Sequence, residues 1–158
     1  QLRGKVDIDT TPGKGTLFTL KIPLTMAIID GIVLKIGTNL YAIPISEVIE
    51  FFACRKEQIV KVNSNTEVIN LRNETIKVIK LYDIFKVHTD KTEITDGIVV
   101  VVQYNDKKFA LLIDEVIGTH QLVIKSLPSF MSKAKGLKGC SILGNGEVCF
   151  IIDLGSII

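Results

Sequence analysis

Apolar residues in this chain fall in short runs divided by polar turns, the spacing of many short strands rather than of long amphipathic helices. The pattern predicts strands at 29–36, 39–45, 50–54, 58–62, 66–71, 75–80, 98–104, 108–114, 119–126, 140–144 and 147–152. Short helical turns are expected at 46–49, 81–86, 114–117 and 154–158. A hairpin pattern precedes them: in VDIDTTPGKGTLFTLKIP, Val6 and Ile8, then Leu17, Leu20 and Ile22, flank a PGKG turn, and Pro23 closes the unit. Thr25-Met26-Ala27 leads on with no flexible linker, which predicts mechanical coupling between residues 1–24 and 25–158.

The pattern is doubled. YAIPISEVIE at 41–50 returns as FALLIDEVIG at 109–118, with five of ten positions identical. Upstream, GIVLKIGTNL matches GIVVVVQYNDKK, whose turn reads as two residues longer. Downstream, ETIKVIKLYDIF at 74–85 aligns without gaps on EVCFIIDLGSII at 147–158. Arg72-Asn73 precedes one of these segments and Gly144-Asn145-Gly146 the other; Asn-Gly is a strong hairpin signal. The repeating unit therefore spans about 28–88 and about 96–158. Many short strands with little helix imply an all-β barrel or sandwich. Closure into a barrel removes exposed sheet edges, and about 60 residues hold little core alone, so two small barrels sharing one apolar seam fit best.

Composition narrows the function classes. Of 158 residues, 47% are hydrophobic, rich in Ile, Val and Leu, so the chain can bury a substantial core. No apolar run approaches the roughly 20 residues of a membrane helix, so direct membrane insertion is not expected. The start, QLRGKVDID, has no signal-peptide pattern and reads as a piece of a longer protein. A net charge of +2 gives no electrostatic case for nucleic acid. Cys54, Cys140 and Cys149 have no CxxC spacing and read as reduced, buried thiols of a cytoplasmic protein.

Catalytic and metal chemistry find little support. His88 and His120 lack ligands at metal spacing. Asp114 and Asp153 end repeated strands, but their counterparts are Ser46 and Lys80, so no symmetric carboxylate dyad exists. Helix-start capping is the expected role of both. MSKAKGLKG at 131–139 reads as a solvated connection between strands. The sharpest clue to an interface is Phe51-Phe52: adjacent strand residues point to opposite faces, so both rings cannot enter one core. Val48, Ile49, Phe51 and Phe52 are therefore candidate partner contacts.

These segments, in this order and spacing, resemble a known family. PGKGTLFTLKIPLTMAII, Pro12 to Ile29, is similar to the last hairpin of the ATP-binding domain of chemotaxis histidine kinases running into their regulatory domain. YAIPISEVIE, NLRNETIKVIKLYDIF, FALLIDEVIG, QLVIKSLP and GCSILGNGEVCFIIDL resemble that C-terminal, CheW-like regulatory domain itself. The resemblance implies two intertwined SH3-like five-stranded β-barrels. It implies docking of a CheW-type adaptor and of chemoreceptor cytoplasmic tips, and relay of receptor state to the kinase domain through Leu24 to Ile28. It implies a cytoplasmic site at membrane-bound receptor arrays. Gly13, Gly15 and Thr16 match the final ATP box of the parent kinase, which would use ATP and magnesium; with the rest of that pocket missing, no cofactor is expected here. Glu50 and Arg72 match residues that lie close together near the lobe junction of the family, which suggests an ion pair shaping the receptor groove. Glu50 maps to Gly118 in the second copy, so the shared fold does not require it. A competing expectation is a fragment that retains nucleotide-binding or kinase activity, supported by Gly13 to Thr16 alone. Without partner strands, residues 1–24 would present open edges and are expected to show local disorder or a non-native packing.

Overall fold

The computed structural model describes residues 5–13, 15–21, 28–63, 66–131 and 134–158. The first element is the expected hairpin, β1 (Lys5–Thr11) and β2 (Gly15–Lys21). Their register runs from Lys5 opposite Lys21 to Thr11 opposite Gly15. Among the described residues the two strands pair only with each other, so the outer edge of each stays unpaired. The remainder of 1–24, and most of the junction at 24–28, lies outside the described residues.

The first copy of the repeat contributes β3 (Ile28–Ile36), β4 (Asn39–Pro44), β5 (Val48–Phe52), β6 (Ile59–Asn63), β7 (Thr66–Leu71), β8 (Glu74–Lys80) and helix α1 (Leu81–Phe85). The second contributes β9 (Ile98–Tyr104), β10 (Lys107–Ile113), β11 (Glu115–Val123), β12 (Leu137–Ile142), β13 (Val148–Ile152) and α2 (Leu154–Ile157). Single 3₁₀ turns fill Ile45–Glu47, Lys56–Gln58 and Ser129–Met131.

The fold is all-β, and the copies exchange strands. One sheet runs β11-β3-β4-β13-β12 and the other β5-β9-β10-β8-β7-β6. In each, the leading hairpin of one copy is flanked by strands of the other. The second sheet has six strands where five were expected. Its extra member, β6, has as its counterpart only the Ser129–Met131 turn and an isolated bridge between Lys125 and Cys140.

The hydrophobic pattern explains why both sheets form. Ile32, Leu34 and Ile36 of β3 face the layer between the sheets, together with Tyr41, Ile43, Val100, Val102, Leu111 and Ile113. The alternate residues point into the separate lobes: Val33 and Ala42 in the five-stranded lobe, Val99, Val101, Ala110 and Leu112 in the six-stranded one. Strands buried on both faces read as continuous apolar runs, which is why GIVVVV lacks alternation.

Pairing also corrects the sequence alignment. Ala42 opposes Val33 and Ala110 opposes Val101, a constant offset of 68 through both hairpins. The second turn is therefore no longer than the first: Gly37-Thr38 and Asn105-Asp106 are both two-residue turns. Asn105 (φ 47°) and Asp106 (φ 61°) supply the left-handed geometry that such a turn demands. Matching Gly-Ile-Val to Gly-Ile-Val slips the copies by two, and a slip of two preserves every inward and outward position.

The turn expected at 114–117 is instead strand. β11 begins at Glu115 and carries a bulge between Val116 and Gly118, where Gly118 sits at φ 148°. β5 has the same bulge between Val48 and Glu50. An extra unpaired residue bends the strand around the hairpin without breaking it. Strand β12 starts at Leu137, earlier than expected, because a further bulge accommodates Gly139, where a Cβ would lie 2.7 Å from the Lys125 carbonyl oxygen.

Candidate functional site

β5 is an edge of the six-stranded sheet, and it carries most of the residues singled out in the sequence. Its two faces do different work. Val48 packs against the layer between the sheets and Phe52 against the six-stranded lobe core, so neither is free for a partner. Ile49 (42% exposed) and Phe51 (52% exposed) point outward. The split of Phe51 from Phe52 follows the strand period, as expected. Phe51 covers neither lobe.

Glu50 lies between these faces, and the Arg72 guanidinium donates to its carboxylate, Nη2 to Oε2, at 2.9 Å. Arg72 heads the β7–β8 turn at φ 49°, with Asn73 at 68°. The pair therefore ties the β5 edge to the far side of the same lobe. Arg72 is 78% exposed at its side chain, so the pair contributes only about 0–1 kcal/mol to stability. A second ion pair, Lys108 Nζ to Glu74 Oε2 at 2.5 Å, crosses the same end of the lobe.

The hairpin that holds Gly13, Gly15 and Thr16 is a separate feature. Gly13 (φ 76°) and Gly15 (φ 116°) make the turn, and a Cβ on either would meet nothing within 4 Å. Thr16 Oγ1 lies 3.1 Å from Thr10 Oγ1 across the ladder. Val6, Ile8, Leu17 and Phe18 are exposed. This turn faces open space, as a simple hairpin tip would.

Asp114 and Asp153 are not caps by side chain. Asp114 precedes a strand, and its Oδ2 accepts the Gly37 N–H at 2.6 Å and the Thr89 hydroxyl at 2.7 Å. Lys91 Nζ donates to the Asp114 carbonyl at 2.8 Å. The knot fastens the segment after α1 to the β3–β4 turn. Asp153 stands at the start of α2 without a side-chain capping bond; its carbonyl accepts the Ser156 hydroxyl at 3.0 Å. His88 and His120 stay apart, and among the described residues no group of three or more His, Cys, Asp or Glu could hold a metal.

A charged cleft lies at the other side of the six-stranded lobe. Glu67 accepts Lys80 Nζ at 2.8 Å and faces Lys61 at 3.6 Å. Burial works to raise the Glu67 carboxyl, but the two ammonium groups outweigh it and hold it below the ordinary carboxylate range. Burial likewise opposes the charge on Lys80, and Glu67 more than restores it.

The sequence missed a cavity of about 590 Å³ at the end of the five-stranded lobe. Leu40, Ile117 and Leu143 line it, with Lys35 and His120 beside them. The signal was present in the repeat: Leu40 stands where the other copy has Lys108, and Asn145 where it has Arg72.

Comparison with known proteins places the chain among relatives. The CheW-like domain matches residues 30–158. Chemotaxis protein CheA of Klebsiella aerogenes is 35% identical over 157 residues, 99% of this chain and 24% of that protein. The CheA of Treponema pallidum is 39% identical over 160 residues, 100% of this chain and 20% of that protein. The sensor histidine kinase CheAY of Helicobacter pylori is 35% identical over 158 residues, with 20% of its length covered. The chain thus spans a quarter or less of these relatives. Its fold is similar to the crystal structure of the scaffolding protein TtCheW from Thermoanaerobacter tengcongensis, with TM-score 0.68 and 22% identity, over 80% of this chain and 89% of that one. No described helix is long and apolar enough to cross a membrane.

Proposed function

The chain belongs to the CheW-like domain family, and from that premise we propose that it is a non-catalytic regulatory and scaffold module of a chemotaxis histidine kinase. It docks a CheW-type adaptor and chemoreceptor tips in the cytoplasm and relays receptor state to the kinase domain of the same protein. Similarity to CheA proteins along the whole chain supports that context.

The observation that carries the reading is the free edge β5. A sheet edge that shows Ile49 and Phe51 to solvent is an aggregation liability unless a partner covers it. An aromatic ring on an exposed edge, beside an Arg–carboxylate pair, is the chemistry of an interface centre. Glu50 and Arg72 contribute orientation more than stability, since their pair is largely solvated.

Calorimetric titration with the purified CheW-type adaptor of the same organism tests the proposal. Saturable one-to-one binding is expected, weakened about tenfold or more by Ile49→Asp or Phe51→Asp, a loss of about 1.4 kcal/mol or more. Both positions are exposed, so the melting temperature should not fall. Adaptor affinity unchanged in both variants would remove β5 as the docking edge. Absence of binding would remove adaptor docking by this module.

A further inference from the structure

The two lobes end differently, although the same repeat builds both ends. In the six-stranded lobe, Arg72 reaches Glu50 and Lys108 reaches Glu74, so two ion pairs cross the mouth. In the five-stranded lobe, Asn145, Gly118 and Leu40 take the places of Arg72, Glu50 and Lys108, and neither pair can form. The mouth stays open as the cavity of about 590 Å³, within the roughly 300–1,000 Å³ typical of small-molecule sites.

Its walls are set in advance. The Gly37 N–H is held by Asp114 Oδ2 on one side. On the other, Asn145 Oδ1 accepts the Glu147 N–H at 3.0 Å and its amide donates to the Glu147 carboxylate, which fixes the β12–β13 turn. Between the walls, Leu40, Ile117 and Leu143 make the lining mostly apolar. At the rim, the Lys35 and His120 side chains have no hydrogen-bond or ion-pair partner among the described residues. Glu147, the one carboxylate in the lining, keeps its charge and is held to the β12–β13 turn by Asn145. An apolar lining with the unpaired Lys35 ammonium at its edge complements an aliphatic chain that ends in an anion.

We propose that the open mouth of the five-stranded lobe binds a small aliphatic carboxylate, its chain against Leu40, Ile117 and Leu143 and its carboxylate toward Lys35 and His120. The site lies apart from β5 and does not depend on adaptor docking. Rigid walls lower the ordering cost of binding, and burial of the chain supplies the affinity.

Titration of the chain with octanoate, with 1-octanol as the uncharged probe, tests it. Saturable one-to-one binding of octanoate is expected, tighter than that of 1-octanol, and Lys35→Gln should erase the difference. Ile117→Glu should weaken octanoate about tenfold, since it places a carboxylate in the lining. Methyl NMR shifts on the unaltered chain are the second measurement, and they should move at Leu40 and Leu143 and leave Val60, on β6 of the other lobe, unaffected. No saturation below roughly 10 mM would overturn the proposal, as would equal affinity for octanol or shifts confined to other residues.

Discussion

Cys149 shows how burial sets chemistry one residue at a time. It is fully buried, and burial, reinforced by neighbouring Cys140, pushes its thiol up to about 12. Burial also raises Cys54 and Tyr41, against smaller opposing contributions from the Arg55 backbone and the Asn39 side chain. For each, the folded state holds the proton more tightly than the unfolded chain. For Cys149 that stabilisation is complete below the unfolded value, about 8.5 for a thiol, and is lost as pH rises toward about 12. Urea midpoints should therefore fall between about pH 8 and about pH 10, at up to roughly 1.4 kcal/mol per unit for Cys149 alone. A thiol reagent at about pH 8 should modify half-exposed Cys140 first and reach Cys149 only on unfolding. Rapid native labelling of Cys149 would contradict the burial. At this scale the sequence was informative where strand period decides, as in the opposed rings of Phe51 and Phe52. It misplaced Val48 among the partner contacts, because the bulge beside it, which accompanies its packing toward the layer between the sheets, leaves no mark in composition.

The segment from α1 to β9 is an irregular element whose order comes from a few polar contacts. Thr89 is buried and donates to Asp114, the Lys91 N–H donates back to Thr89 Oγ1, and Ile94 is buried in the six-stranded lobe. Gly37 permits this packing: a Cβ there would lie 2.3 Å from the His88 carbonyl oxygen, and its φ of 58° disfavours other residues. Asp114→Ala should cost about 2–3 kcal/mol, since it leaves the Gly37 N–H and the Thr89 hydroxyl unpaired. Thr89→Val should cost about 1 kcal/mol, and the double variant less than the sum, because both remove one bond. Urea denaturation of the three variants measures this, and strict additivity would show that the contact carries no energy. The sequence placed Asp114 at an element start but assigned the wrong element. An acidic residue after a strand resembles a helix cap until one sees that its partners lie 77 and 25 residues away. Gly118 was the available warning, since a glycine two residues after a repeated Val suits a bulge better than a helical turn.

The doubled pattern made two lobes and a shared apolar layer legible, because each copy is too short to bury its own strands. Which strand joins which sheet was not legible from hydrophobicity, since strands buried on both faces fit either lobe equally well. The exchange has a thermodynamic consequence for the whole molecule. The β3–β4 hairpin borrows β11 and β13 from the second copy, and β9–β10 borrows β5 and β8 from the first. Neither sheet survives the loss of the other copy, so unfolding should be one cooperative transition rather than two. Division of the chain within the segment after α1, into 28–92 and 93–158, tests this. Each half keeps its leading hairpin and a second antiparallel unit, β6–β7–β8 or β12–β13, but loses the strands that flank the hairpin and join the two units into one sheet. Each half alone should give a collapsed amide NMR spectrum, and an equimolar mixture should recover the dispersed spectrum of the intact chain. Recovery should be slow and concentration-dependent, since the four pairings that complete the sheets, β11–β3, β13–β4, β5–β9 and β8–β10, are then intermolecular. If the 93–158 half folded alone, the layer between the sheets would be a docking surface between independent lobes rather than a common core. Buried Leu34, Ile43, Val100 and Leu111, drawn from both copies, argue for the common core.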